Sequence, residues 1–439
     1  MGKAKVVFAL IVVLVSVALS LDALAESDVD EWAGYMPEDM YDPEEFTGLT
    51  GDWFGYRGKL ADNGITMDID IMQSFQGVVD GGTDSSWEYG GSAELNFQLD
   101  FKKIGLWPGA FINGRAIIQF GQFVNKDTGA IIAANTDGLF PLPDYDGVTL
   151  SQLVFTQFLS ESFAVFLGKI DTTEGDSTAF SGARGKDNFM NQSLVFNPAL
   201  ARAVPMSSLG AGLIFIWPDV HAERPYTLAF SVLGADGMPN TAGFDDDFDD
   251  GEVYTAEFKL PTEVFGKDGN HTFGAVYSDK DLTLLDPDPQ LIFGPIGLPV
   301  KLTLEEQEGT WGFTYNFDQY LFTEESDKTQ GFGLFGRYGF ADDETSPIEH
   351  FWSIGLGGKG IINGRDEDTF GIGYYFIDFS DKLPEPISSQ FDNSYGFEIF
   401  YNIEVTPWLH ITPDFQILEP SNEDVDTTYI TGFRIRIDL

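Results

Sequence analysis

Residues Ala93 to Phe101 alternate apolar and polar side chains without a break. Ala93, Leu95, Phe97, Leu99 and Phe101 fall on one side; Glu94, Asn96, Gln98 and Asp100 fall on the other. Strand side chains alternate with period two, so this segment has one apolar wall and one wet wall. Similar segments recur to the final residue. The last, Phe433, Ile435, Ile437 and Leu439 against Gly432, Arg434, Arg436 and Asp438, has the same form. Two-faced strands repeated along a whole chain suit a closed barrel with lipid outside and water inside.

Composition narrows the choice. No segment after the N-terminus carries about 18 uninterrupted apolar residues, so a membrane role requires strands, not helices. The chain holds 49 Gly and 40 Phe, a bias that an aromatic-girdled barrel uses and few soluble folds need. It has no cysteine, which excludes disulfides, thiolate metal sites and Cys nucleophiles. The formal net charge of −46 repels nucleic acid phosphates. It reads either as solubility in a salty habitat or as a pore mouth that attracts cations.

The N-terminus has the form of a secretory signal over residues 1–25. Lys3 and Lys5 precede an apolar run from Val6 to Leu19, and Ala23-Leu24-Ala25 is a small-x-small cleavage site. A retained signal anchor is the alternative. Residues 26–47 are an acidic, aperiodic lead. Residues 48–64 contain a short helix, Trp53 to Asn63, stopped by Gly64.

From residue 65 to 439 the periodicity predicts about sixteen strands. They fall near 65–77, 92–102, 109–121, 149–159, 163–171, 208–217, 226–235, 252–260, 271–279, 309–322, 330–341, 349–359, 369–378, 394–404, 409–418 and 428–439. Connections alternate between long acidic segments and short ones, the asymmetry of external loops and periplasmic turns. The predicted fold class is therefore all-β: a transmembrane antiparallel β-barrel of about sixteen strands with a short N-terminal helical segment. Pro413 falls inside a predicted strand and predicts a bulge there. Pro261 to Asn270 is predicted as a turn.

In this setting several motifs together resemble the carbohydrate-selective outer-membrane porin family (the OprB type). They are GDWFGYR…LADNGIT (Gly51 to Thr66), GKID (Gly168 to Asp171), NPALA (Asn197 to Ala201), GLFGRYG (Gly333 to Gly339), KGIINGRDEDTFGIGYY (Lys359 to Tyr375) and YGFEIFYNIEVTPWLHITPDFQ (Tyr395 to Gln416). The resemblance runs from about Leu49 onward. The Leu439 terminus, the run from Asp245 to Asp250 and the high net charge depart from the family pattern. The resemblance implies a sixteen-stranded barrel narrowed by inward loops and placed in the outer membrane of a Gram-negative bacterium. It also implies passive diffusion of sugars such as glucose and, in some members, a homotrimer.

Sugars present hydroxyls and apolar C–H faces, so a weak sugar path wants carboxylate acceptors, Arg and Asn donors and aromatic surfaces. The inward positions of the predicted strands supply Glu94, Asn96, Asp100, Arg115, Lys169, Arg337 and Glu398, besides Asp68, Asp70, Asp414, Arg434 and Arg436. The long segment Thr172 to Ser207 carries Arg184, Lys186, Asp187 and Arg202 in an otherwise acidic chain. These four predict a mixed-charge eyelet; the alternative is an external loop packed on its neighbours. The run GRDED reads as a turn locked by Arg365, and the Asp245 to Asp250 run as a solvated loop without EF-hand register. The four histidines are isolated, and no GxSxG elbow is present. The reading is a non-enzymatic pore with no cofactor. Small carbohydrates and outer-membrane lipid are its expected partners. A general or cation-preferring diffusion channel and an adhesive or structural barrel are the rival readings.

Overall fold

Period-two alternation needs a partner on each edge, and the chain satisfies this by closing on itself. The computed structural model describes residues 48–139, 147–174, 176–217, 224–245, 247–286, 290–292, 301–303, 305–383 and 392–439. The expected signal and acidic lead lie outside the described residues. A 3₁₀ turn at Trp53–Gly55 leads into helix α1 (Tyr56–Asp62). The strands are β1 (Ile65–Asp80), β2 (Trp87–Asp100), β3 (Ala110–Gly121), β4 (Thr149–Ser160), β5 (Phe163–Asp171), β6 (Ser207–Trp217), β7 (Tyr226–Gly234), β8 (Glu252–Val264) and β9 (Lys267–Thr283). They continue as β10 (Gln290–Ile292), β11 (Lys301–Thr303), β12 (Glu306–Thr323), β13 (Gly331–Ala341), β14 (Ile348–Lys359), β15 (Thr369–Phe379), β16 (Ser394–Thr406), β17 (Leu409–Glu419) and β18 (Thr428–Asp438). All but β10 and β11 form one closed antiparallel barrel of sixteen strands. β10 and β11 pair only with each other, a hairpin inside a segment expected to be an irregular loop.

The seam joins β1 to β18, with Ile71 opposite Ile437 and Phe75 opposite Phe433. Outside the ladder, Leu49 N–H donates to the Asp438 carbonyl at 2.8 Å. The Arg57 guanidinium donates to a Leu439 main-chain oxygen at 2.7 Å. The GDWFGYR motif thus ties α1 to the closing strand.

The faces sort as the alternation requires. Phe75, Phe230, Phe273, Phe313, Trp352, Ile372, Ile399 and Phe433 point outward and are 38–54% exposed. Such an apolar belt is stable only against hydrocarbon. Phe75 continues the aromatic surface across the seam, 5.0 Å from the Trp87 ring and 5.9 Å from Phe433. Asp70, Glu94, Gln98, Arg337, Glu398, Gln416 and Arg434 point inward and are almost fully covered.

Two local expectations are corrected. Pro413 makes no bulge. Phe400 faces Asp414 and Ile403 faces Ile411 in one register, with the pairs between them unformed. The register shift lies between Glu404 and Thr406. Proline removes one donor, and the continuous pairing of Pro413 with Phe433 on β18 holds the strand in line. The turn expected over Pro261 to Asn270 shrinks to Phe265-Gly266, with Pro261 inside β8 opposite Asn270. Both turn residues have positive φ, 54° and 72°, which matches the twist of a two-residue hairpin.

Replacing Ile399, at the middle of β16 and 40% exposed, by Arg puts a cation against lipid. The expected cost is about 2–4 kcal/mol, read as a shift of the urea unfolding midpoint of the barrel in lipid vesicles. An unchanged midpoint overturns the assignment of this face to hydrocarbon.

Candidate functional site

The segment between β5 and β6, residues 172–206, folds into the barrel. Its apolar side chains Phe180, Phe189, Met190, Leu194, Val195 and Ala199 are buried. They seat against inward glycines of the wall. A Cβ at Gly333 would stand 2.6 Å from the Phe180 ring, one at Gly371 2.6 Å from Phe189 and one at Gly373 2.8 Å from Leu194. The inward glycines of GLFGRYG (Gly333 and Gly339) and FGIGYY (Gly371 and Gly373) therefore form a shallow track for this loop. Helix α2 (Gln192–Val195) is capped by Asn191, whose side chain accepts from Ser193 N–H at 3.0 Å.

Two wall side chains lie beneath the loop and hold its main chain. Arg337 donates to the carbonyls of Asp176, Leu194 and Val195, each at 3.0 Å, and pairs with the Asp176 carboxylate at 3.3 Å. Glu398 accepts from Met190 N–H at 2.6 Å and Asn191 N–H at 2.8 Å. The segment between β3 and β4 packs on the same loop, with Gln192 N–H donating to the Ala133 carbonyl at 2.9 Å.

At the loop tip, Arg184 and Gly185 both take left-handed conformations, φ 54° and 76°. The reversal fans three charged side chains toward the seam. Arg184 pairs with Glu94 at 2.7 Å. Lys186 bridges Asp70 at 2.7 Å and Glu94 at 2.8 Å. Asp187 pairs with Arg436, which also pairs with Asp438 at 2.8 Å. Arg434 donates to the Gly185 carbonyl. Arg115 completes the network from β3, reaching Glu94 and Asp171 at 3.2 Å each and Glu174 at 2.7 Å, and donating to Asn96 at 3.0 Å. Three cations thus converge on Glu94 in a chain with only 24 Lys and Arg. The side chains of Glu174, Asp187 and Arg436 keep 44%, 36% and 21% exposure and present both signs to solvent.

Burial alone would raise the Asp187 carboxyl, but Arg436, with Arg434 and Lys186 behind it, holds it below the usual carboxylate range. Burial disfavours the Lys186 cation, yet Asp70 and Glu94 raise its pKa above the usual lysine value.

Of the sequence candidates, the structure brings Arg184, Lys186, Asp187, Arg115, Glu94 and Asn96 together. Arg337 and Glu398 are sealed beneath the loop rather than set on open wall. Lys169 is covered too, donating to the carbonyls of Met238 and Thr241 in the segment after β7. Asp100 caps the turn after β2, accepting from Lys102 N–H at 2.9 Å. Arg202 is exposed and outside the network, with no ion pair among the described residues. The charged cluster at the loop tip is therefore built without it, because the 3₁₀ turn Pro198–Leu200 carries the chain away from the seam. The counter-charges Glu174 and Asp176 lie on aperiodic loop, where no spacing marks them. Asp171 was readable, since it shares the inward parity of Lys169. The alternative of an external loop is not what folds: the 172–206 segment occupies the interior.

The loop leans on β12–β18 and β1–β3. On its other side a cavity of about 340 Å³ separates it from the wall of β7–β9.

A closed barrel with a lipid-facing belt, a polar bore and a loop folded into that bore is a porin of the Gram-negative outer membrane. The family model for carbohydrate-selective porins, the OprB family, matches residues 84–439, and the chain belongs to that family. Porin B of Pseudomonas aeruginosa is 25% identical over 140 residues, 27% of this chain and 30% of that protein. Porin AaxA of Chlamydia muridarum is 27% identical over 113 residues, 26% of this chain and 23% of that one. The chain thus spans less than a third of the length of either curated relative. In fold it is similar to the high-pH structure of Pseudomonas putida OprB, with a TM-score of 0.75 at 19% identity over 89% of this chain and 98% of that one. The low-pH structure of the same protein gives 0.55 at 16% identity over 90% and 100%.

Two outcomes follow from the loop anchoring. Arg337→Met leaves the loop carbonyls and Asp176 without their buried cation, at an expected cost of about 3–5 kcal/mol. Larger and noisier single-channel conductance is the readout; an unaltered trace shows that the glycine track alone holds the loop. The tip pairs give a pH window. An acid with a depressed pKa contributes above its ordinary value of about 3.9 and is lost as pH falls through the folded value. The raised lysine contributes below about 10.4 and is lost as pH rises through its folded value. The part of the conductance noise that Asp187→Asn adds is therefore expected to stay constant from about pH 5 to 9 and to vanish below about pH 4, where the wild-type pair is itself lost. An Asp187→Asn trace identical to wild type at about pH 7 contradicts the Asp187 latch.

Proposed function

We propose that this protein passes small, glucose-like carbohydrates down their concentration gradient, performs no chemistry on them and uses no energy source. The observation that carries this reading is the loop tip, where Glu174, Asp187 and Arg436 present both signs to the bore above the covered pairs of Arg115, Arg184 and Lys186 with Glu94. A polyhydroxylated solute exchanges its water for such groups at little net cost. Carboxylates accept its hydroxyl protons, and guanidinium groups donate to its oxygens. Because the charges are already paired, each contact is weak and brief, which a pore needs in order to release what it binds. The family match supports the carbohydrate class. The signal-like N-terminus supports export with cleavage after Ala25.

A second reading, a cation-preferring diffusion channel on the same barrel, draws on the net charge of −46. Planar-bilayer recording separates the two. On the sugar reading, glucose or short oligosaccharides at millimolar levels block the ion current, and liposomes carrying the protein swell in neutral sugars. Absence of both favours the cation channel. Arg184→Ala removes a cation from the constriction and is expected to shift ion selectivity toward cations and to change sugar block. Arg202→Ala is expected to leave both unchanged; the reverse order overturns the tip as the selective element.

A further inference from the structure

We infer that the cavity opposite the loop tip holds a second sugar subsite centred on Glu257, which favours neutral sugars over anionic ones; the inference rests on the transport reading above. Glu257 points inward from the middle of β8. Its direct neighbours across the ladder are Ala229 on β7 and Gly274 on β9, two of the smallest residues available. A carboxylate flanked by a methyl group and a hydrogen stands in a hollow rather than in a packed wall. That hollow is the cavity of about 340 Å³, inside the range of small-molecule sites, roughly 300–1,000 Å³.

The lining is unlike the loop tip. Among the described residues, Glu257 makes no hydrogen bond or ion pair, whereas Glu94 at the tip engages three cations. Lys259, two residues along on the same face, is exposed and forms no ion pair with it among the described residues. The cavity wall also carries hydroxyls and amides, among them Thr314, Asn316, Asn197 and the Ser231–Thr255 hydroxyl pair, 2.6 Å apart. The Asn316 side chain is 5% exposed, and its Oδ1 is buried without a partner, while its Nδ2 donates to Asp176. Phe196 supplies an aromatic surface on the loop side.

An unpaired carboxylate can accept from two vicinal hydroxyls, and an orphaned amide oxygen from a third. An aromatic ring covers the C–H face. These are the demands of a neutral sugar ring. The carboxylates on this wall are Asp171, Asp176 and Glu257. Arg115 and Arg337 neutralise the first two and leave Glu257 to act on the solute. A uronate or sugar phosphate meets the ionised Glu257 carboxylate as a like charge.

The test uses the porin in planar bilayers and liposomes at about pH 9, which keeps a carboxylate ionised, with glucose and glucuronate as probes. Glu257→Gln keeps the shape and removes the charge. It is expected to raise the glucose concentration for half-block about tenfold and to speed swelling in glucuronate relative to glucose. Ala229→Val narrows the hollow and is expected to weaken glucose block while leaving the carboxylate and the ion selectivity in place. Heat-modifiable gel mobility identifies folded barrel for each variant. If glucose blocks the wild-type pore and both folded variants equally, the subsite is overturned while the transport reading stands. If glucose does not block the wild-type pore and no neutral sugar swells the liposomes, the transport reading falls and the subsite with it.

Discussion

Hydrocarbon offers no hydrogen bonds, and everything in this structure follows from that. A strand placed in lipid must find partners for its main-chain N–H and C=O groups within the protein, and a flat sheet always leaves two edges unpaired. Pairing β1 with β18 removes both edges at once. The pleat then imposes its own consequence. Once the outer face of each strand is given to lipid, every second residue must face the bore. The chain thereby acquires a polar interior lined by Asp70, Glu94, Arg115 and Arg434 without any further instruction.

A polar bore is not yet a selective one. Selectivity requires an element inside it, held firmly enough to keep its shape. The fold meets this with two different kinds of contact. Inward glycines on β13 and β15 accept Phe180, Phe189 and Leu194 by shape. Arg337 and Glu398 secure the loop main chain by hydrogen bonds to groups that no side-chain pairing would otherwise satisfy. The anchoring is mostly apolar and neutral on one flank. Most of the charged pairs gather on the other, at the seam, and the cavity beside β7–β9 lies opposite. The anchored side of the loop and the open cavity thus occupy separate sectors of one ring of strands.

The barrel was legible because its signal is local. Alternation in Ala93 to Leu99 fixes which way Phe97 and Glu94 point, and nothing distant can reverse that without breaking the ladder. The two proline sites were less legible. Whether Pro413 distorts β17 depends on β18, a neighbour that period counting does not see. The site was legible by residue type but not by position. Arg184 and Lys186 stood out as cations in an acidic chain. Arg202 stood out equally, yet the turn at Pro198–Leu200 carries it elsewhere. Arg337 and Glu398 have the inward parity of pore residues. Their burial depends on a loop folding over them, which strand periodicity cannot report. Glu257 carried a readable signal in the inward run Thr255, Glu257, Lys259, but its meaning came from Ala229 and Gly274 on adjacent strands.

The seam between β1 and β18 gives the order of synthesis a role in assembly. The first strand made is also the one that waits longest for its second neighbour, because that neighbour is the last strand of the barrel. Through Leu49 and Arg57, the helical motif ahead of β1 grips Asp438 and Leu439, so the two ends of the ring are fastened by the same latch. A polypeptide cut short before β18 would retain fifteen barrel strands and two raw margins. Closure therefore doubles as an inspection for completeness, performed by geometry alone.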